Sequence, residues 1–309
     1  MKVNAEWKDF EVIATGGGEK LERWGNVKLL RPDPQVIWPA KYNLENESGL
    51  NAHYLRESTG GGHWENLKKY PDEWQVGWRN LKFKIKPMGF KHTGLFPEQA
   101  VNWAKMIELI KNANREIKVL NLFAYTGGAT VACASAGASV VHIDAAKNMV
   151  ERAKENLCIS GLKDAHVRFI VEDCKKFVER EIRRGNKYDA IIMDPPSYGR
   201  GPNGEIWKIE ESIFDFVSLC FEVLSDNPLF VLINSYTTGL QPTVMKNILQ
   251  LNCEKFNKKF EDIEAYEVGL PTNEKINLPC GASAIAYNLK WVFAHFFYIF
   301  LKKYNQFAK

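Results

Sequence analysis

From about residue 97 to residue 288 the apolar positions fall into two alternating kinds of stretch. One kind is a short unbroken run, and the other is a longer stretch where apolar residues recur at helical spacing. Pro97 suits the first turn of a helix running to about residue 112, with Ala100, Val101, Ala104, Ile107 and Ile110 on or near one face. The runs predict strands at 119–123, 140–143, 167–171, 188–193 and 229–233. Helices are predicted between and after them, at 129–136, 146–160, 174–184, 211–224 and 244–251, with Gly137, Gly161 and Gly185 as stops. Residues 263–288 read as two further strands around Pro271-Thr-Asn and Leu278-Pro-Cys-Gly. Such alternation implies an α/β fold, a mostly parallel sheet with helices on both faces.

The first 90 residues have another texture. They hold six of the nine tryptophans, together with turn-forming runs such as Gly16-Gly17-Gly18 and Gly60-Gly61-Gly62. Strand-like runs recur at 27–30 and 36–38, and Leu81-Lys-Phe-Lys-Ile-Lys86 alternates as a strand with one buried and one wet face does. Residues 1–90 therefore read as a small β-rich cap ahead of an α/β domain at 91–288. The lysine face (Lys82, Lys84, Lys86) is either a basic surface for nucleic acid or a solvated face over a tryptophan-rich core.

The rest of the chain is organised around residues 118–130. An apolar strand run is followed by the turn signal Thr126-Gly127-Gly128 and a helix of small residues. Strand, glycine turn and helix form the first half of a nucleotide-binding βαβ unit, where glycine lets a ligand approach backbone that a Cβ would shield. A tight turn without a ligand has the same local pattern.

Ligands of doubly wound sheets bind beyond the carboxyl ends of the strands, so the residues that end the strands are the informative ones. The first strand ends in Phe123-Ala124-Tyr125-Thr126-Gly127-Gly128 and the second in Asp144. The third ends in Glu172-Asp173 and the fourth in Asp194-Pro195-Pro196-Ser197-Tyr198. Asp144 can accept from both hydroxyls of a ribose, or else cap the helix that follows. Asp173 can accept from an adenine amino group, or cap the helix at 174. The two prolines after Asp194 cannot donate, so acid and carbonyls together form an acceptor-only site suited to an N–H-bearing nucleophile. Tyr198 adds a face on which a displaced base could stack, while a proline-stiffened strand exit explains the same residues blandly.

Composition adds little beyond compartment. The chain has 309 residues, 45% of them hydrophobic and 25% charged, with a formal net charge of +4. That mild basicity is compatible with an RNA partner without requiring one. Six scattered cysteines with no Cys-x-x-Cys pair argue against structural zinc and a disulfide framework. The charged N-terminus resembles no signal peptide, and the longest apolar run, 291–301, is too short to span a membrane. A cytoplasmic protein that needs no metal is the expectation, with its oligomeric state open.

Four segments resemble those of class I S-adenosylmethionine-dependent methyltransferases, in the bacterial branch related to the large-subunit (23S) rRNA methyltransferases. They are Lys91-His-Thr-Gly-Leu-Phe-Pro-Glu-Gln99, Asn121-Leu-Phe-Ala-Tyr-Thr-Gly-Gly128, Asp144 and Asp194-Pro-Pro-Ser-Tyr-Gly. The resemblance covers about residues 85–288. It implies a Rossmann-like sheet with an antiparallel edge strand, S-adenosyl-L-methionine as cofactor and an rRNA base nitrogen as acceptor. It further implies that Thr93, Phe96 and Gln99 approach the cofactor, that Phe123 to Gly128 cradle its methionine part, and that Asp144 with Ala145 holds the ribose. Asp173 would take the adenine amino group, while Asp194, Pro195, Pro196 and Tyr198 would form the catalytic end.

The chain also departs from the family pattern. Asn121 stands where the more widespread glycine motif has an acid, and residues 1–90 do not match the PUA-type RNA-binding module common in the branch. No cysteine lies at or just after the fourth or fifth strand, where Pro196-Ser197 and Asn234-Ser-Tyr-Thr237 stand, which disfavours methylation at cytosine C5. Cys280 reads as a buried structural thiol in a hairpin. The glycine-rich loop after Tyr198 offers Arg200, Trp207 and Lys208 as substrate contacts, or is an ordinary surface loop. The aromatic tail, 289–309, has no functional reading. Alternatives to RNA methylation are transfer to a protein or small molecule, an NAD-linked oxidoreductase, or a non-catalytic RNA-binding module.

Overall fold

The structure is a computed structural model that describes residues 1–57, 61–89, 91–200 and 206–289, with Arg200 through its backbone alone. In chain order, strand β1 (Lys2–Val3) precedes a five-stranded sheet. That sheet comprises β2 (Phe10–Gly16), β3 (Glu19–Trp24), β4 (Val27–Pro32), β5 (Leu50–Arg56) and β6 (Gly62–Asn66). A hairpin of β7 (Trp74–Trp78) and β8 (Leu81–Ile85) follows. The α/β part then runs α1 (Ala100–Asn112), β9 (Lys118–Leu122), α2 (Gly128–Ser135), β10 (Ser139–Asp144), α3 (Lys147–Ile159) and β11 (Val167–Val171). After α4 (Cys174–Arg184) and β12 (Ala190–Met193) comes a second hairpin, β13 (Tyr198–Arg200) and β14 (Ile206–Lys208). The chain closes with α5 (Ile209–Phe221), β15 (Phe230–Ser235), α6 (Pro242–Lys255), β16 (Asp262–Pro271) and β17 (Asn277–Tyr287).

The large sheet has the order β1-β16-β17-β15-β12-β9-β10-β11. Strands β15, β12, β9, β10 and β11 are mutually parallel, and β17 is antiparallel to both of its neighbours. The expected antiparallel strand is thus present but is not at the edge. The hairpin turn brings β16 back outside β17, and β1 then pairs with β16 in parallel. An N-terminal strand at the far side of a C-terminal hairpin leaves no periodic mark in either segment.

The large sheet reverses direction at β9. From there the chain steps outward through β10 and β11, then returns across β9 to β12 and β15. The crevice at such a switch point opens beyond the carboxyl ends of the two strands, here β9 and β12. Leu122 lies abreast of Ile143 on one side and Met193 on the other. The next residues, Phe123, Asp144 and Asp194, consequently share one row at the rim.

The cap and the α/β part share a core. One buried cluster runs from Phe10, Trp24, Trp78 and Phe83 through Trp103 and Met106 of α1 to Val119 and Phe230. Trp103 sits at its centre, with ring centroids 5.5 Å from Trp78, 5.3 Å from Phe83 and 6.1 Å from Trp7. The alternation of β8 is realised, with Leu81, Phe83 and Ile85 buried. Its backbone edge docks on α3, where the N–H groups of Lys82 and Lys84 donate to Ser160 Oγ and Asn156 Oδ1. Lys84 is held between Glu73 at 2.8 Å and Glu155 at 3.0 Å, so this face is less basic than its lysines suggest. No helix among the described residues is long and apolar enough to cross a membrane.

Candidate active site

The glycine loop is strained before it is glycine-rich. Phe123 and Tyr125 have φ of 55° and 50°, a left-handed conformation that costs non-glycine residues of order 1 kcal/mol or more. The surroundings hold the loop there. Ala124 N–H donates to Ile143 O, Phe123 N–H to Cys174 Sγ, and Tyr125 N–H to Asp144 Oδ2. Thr126 donates its hydroxyl to Gly94 O at 2.6 Å, which ties the loop to the 91–99 segment.

Gly127 and Gly128 owe their lack of a side chain to packing against protein. A Cβ on Gly127, whose φ is +82°, would stand 2.8 Å from Ala153 Cβ. One on Gly128 would stand 2.5 Å from Trp103 Cζ2. Residues Phe123 to Thr126 and Gly128 do line a cavity at the switch point, together with Leu95, Phe96, Gln99, Trp103, Asn121, Asp194 and Asn234. Gly127 and Thr93 are not among its lining residues. Thr93 is buried, and its Oγ1 has no partner among the described residues. Asn121 donates to Thr130 Oγ1, so a neutral side chain suffices where an acid was the commoner choice.

Asp144 braces the backbone on both sides of the strand end. Oδ2 accepts from Tyr125 N–H and Oδ1 from Ala146 N–H, each at 2.8 Å. A carboxylate has about four lone-pair sites, so one on each oxygen remains for two adjacent hydroxyls. Burial raises its pKa, and the two N–H bonds oppose that rise. Ala145 beside it is exposed. Asp173 acts as the cap of α4, accepting from Lys176 N–H at 2.9 Å, and its neighbour Glu172 pairs with Arg180 at 2.5 Å.

Asp194 ends β12 with part of its surface open to the cavity. Burial, reinforced by the nearby Glu98 carboxyl, pushes its pKa up to about 7. No cation pairs with it among the described residues. A buried acid facing a cavity without a counter-charge suits a cationic ligand.

The comparisons with known proteins decide the class. A family model for S-adenosylmethionine-dependent methyltransferases matches residues 50–206. A crystal structure of such a methyltransferase from Agrobacterium tumefaciens superposes with a TM-score of 0.85 at 30% identity, covering 92% of each chain.

The chain belongs to the S-adenosylmethionine-dependent methyltransferases.

The "Ribosomal RNA large subunit methyltransferase K/L" of Shewanella frigidimarina is 33% identical to this methyltransferase over 215 residues. That match takes in 69% of this chain but only 28% of that protein's length. The tRNA m1G37 methyltransferase of M. jannaschii shares the fold, with a TM-score of 0.53 at 11% identity.

The methyltransferase's cofactor is S-adenosylmethionine, whose positive sulfonium and ribose diol fit the uncompensated Asp194 and the spare lone pairs of Asp144. The cavity itself is only about 50 Å³, room for the methyl-bearing end and not for the nucleoside. Phe96 and Tyr125, with ring centroids 5.6 Å apart, narrow it.

Several of the remaining expected residues have partners within the protein. Gln99 lines the cavity while donating to Tyr236 OH at 2.7 Å and accepting from Asn102 at 2.8 Å. Trp207, expected to meet substrate, instead donates its indole N–H to Pro196 O at 2.6 Å. Its ring packs on Phe123 and Phe216. One of the two proline carbonyls expected to be open is therefore occupied. Lys208 pairs with Glu211 at 2.8 Å. Tyr198 is half-exposed on β13. The side chain of Arg200, the loop 201–205 and the tail beyond Leu289 lie outside the described residues.

Three site residues escaped the sequence reading: Glu98, Asn234 and Tyr236. Asn234 lines the Asp194 cavity and Tyr236 bonds to Gln99. Both stand at the carboxyl end of β15, so the strand-end rule finds them once it is carried to the fifth strand.

Proposed function

We propose that this methyltransferase transfers its methyl group to a nitrogen of an RNA base, most specifically in large-subunit rRNA. The observation that carries this reading is the exit of β12. Asp194 stands in the row of Phe123 and Asp144 and lines the cavity, with Pro195 and Pro196 supplying no donor. The cofactor supplies a methyl group already made electrophilic by a positive sulfur. The protein's part is positioning more than acid–base work. Asp194 accepts an N–H of the acceptor and turns the nitrogen lone pair toward the methyl, and Asp144 with Ala145 holds the ribose. Phe96 and Tyr125 close the cavity against water, and Asp173 keeps lone pairs beyond its cap for the adenine edge. The name of the Shewanella relative supports RNA as the acceptor class.

Thiol chemistry at a base carbon is disfavoured by the same geometry. No cysteine lines the cavity that holds Asp194. Burial raises the pKa of both nearby thiols, Cys174 and Cys280, and keeps them protonated.

The test is labelled methyl transfer into undermodified total RNA, with Asp194→Ala beside it. Label in one rRNA species, lost in the variant, is the expected result, and nucleoside analysis then names the atom. Unlabelled RNA from a protein that still binds the cofactor overturns the RNA assignment. The second reading, a protein or small-molecule acceptor, is favoured by the neutralised Lys84 on the cap and would then stand.

A further inference from the structure

A second cavity, about 190 Å³, lies where the cap meets the α/β part. Leu95 and Phe96 line both this cavity and the one that holds Asp194. Its walls carry three cations, Lys20, Arg31 and Lys91, and three acids, Glu22, Asp33 and Glu98. Balanced walls suit a neutral guest and not a phosphate.

Most of this charge is already committed. Arg31 grips Glu22 through two bonds, at 2.7 and 2.8 Å, and its third bond reaches Lys91 O at 2.7 Å. Lys20 pairs with Asp33 at 3.0 Å. What remains lies in the 91–98 segment, whose Glu98 is the member near Asp194. Among the described residues Lys91 Nζ has one hydrogen-bond partner, Pro32 O at 3.2 Å, leaving protons to donate. Burial and neighbouring cations lower its pKa to about 8. Glu98 is buried near Tyr236, and burial raises its pKa. The His92 imidazole has no hydrogen-bond partner among the described residues, and burial lowers its pKa to about 4, which keeps it neutral. The Phe96 ring lies 5.4 Å from Tyr236 and 5.7 Å from His92, so the cavity also has an aromatic side.

We propose that this cavity is the acceptor pocket, receiving one uncharged nucleobase swung out of its strand, with Glu98 accepting an N–H of its edge and Lys91 donating to a ring nitrogen or carbonyl. Three observations converge on that guest. An aromatic ring fits a cavity of about 150 Å³, so this one admits one base without its sugar phosphate. Stacking on aromatic side chains and hydrogen bonding along the base edge are how extruded bases are held. The electrostatic contact of Glu98 with Asp194 puts the pocket beside the methyl-transfer site. Substrate choice would then be shared between the cap, through the Lys20 and Asp33 pair that braces the pocket, and the 91–98 segment. This proposal rests on the RNA-base reading above.

The test is saturation-transfer NMR with adenosine, guanosine, cytidine and uridine in turn, with S-adenosylhomocysteine saturating so that the cofactor site is filled. At least one nucleoside should receive saturation through its base protons. Glu98→Gln and Lys91→Met should each weaken that signal at least fivefold, with S-adenosylhomocysteine affinity and melting temperature unchanged in Lys91→Met. No transfer to any nucleoside, or transfer that survives both substitutions, overturns the proposal. Should Glu98→Gln fail to fold, Lys91→Met carries the comparison, because that side chain is half-exposed at the wall. If nucleosides bind but RNA is never methylated, the RNA reading fails and the pocket stands. If RNA is methylated with wild-type KM by both variants, the pocket fails and the RNA reading stands.

Discussion

The Trp207 indole N–H donates to the carbonyl of Pro196 at 2.6 Å, tying the β13–β14 hairpin to the residues that follow Asp194. The same ring rests on Phe123 of the glycine loop. A neutral hydrogen bond contributes about 1 kcal/mol net, and about 1.4 kcal/mol corresponds to tenfold in rate. Trp207→Phe keeps the ring and loses the bond, so kcat should fall roughly five- to tenfold with KM for the cofactor changed less. Steady-state kinetics decides it, and an unchanged kcat would mean that the carbonyl needs no tether.

Asp194 carries a pH signature. Its folded pKa of about 7 lies above the ordinary carboxylate value, so the cost of its buried charge is absent below about pH 4 and complete above pH 7. Stability of the cofactor-free protein should therefore fall as pH rises through that window. Asp194→Asn should lose this dependence and exceed the wild type most at pH 8. Urea titrations at pH 5, 6.5 and 8 test it, and a constant difference across the three would sink the assignment. By the same linkage, the cationic cofactor should bind up to about tenfold more weakly for each pH unit below 7, where Asp194 becomes neutral, and the neutral S-adenosylhomocysteine should depend less on pH.

The reason for glycine at 128 is separable by experiment. With Trp103 Cζ2 at 2.5 Å from the added Cβ, Gly128→Ala overpacks the core. A destabilisation of roughly 1–3 kcal/mol is expected. Unaltered unfolding with weakened cofactor binding would return the glycine to a ligand role.

Asn102 holds a buried network together. Its amide nitrogen reaches Gln99, Asn234 and Ser283 at 2.8 to 3.0 Å, and its oxygen accepts from Tyr266 at 2.7 Å. Asn102→Ala strands several of these groups without water, at about 1–3 kcal/mol for each group left unmade. It should also loosen Gln99 and, through it, Tyr236. Thermal unfolding should drop by several degrees, and kcat should fall even at temperatures where the variant is folded. A variant as stable as the wild type would show that the network relaxes freely.

The sequence alone determined the alternating α/β order, the approximate ends of its elements and the row of polar residues at the strand ends. Those signals are local: helical and strand periods, glycine stops and the residue that follows each apolar run. It also carried the class, because Asn121 to Gly128 and Asp194-Pro-Pro-Ser-Tyr lie in contiguous segments. Only the tertiary structure decided which partners the site residues keep. Gly128 answers to Trp103, 25 residues earlier in the chain, and Trp207 turned inward to Pro196. Strand β1 closes the sheet beside β16. The pocket of Lys20, Glu98 and Tyr236 draws on three separate stretches of chain. Each of these is a contact across long sequence separation, set by how packed layers meet, and no period or motif within a single stretch encodes it.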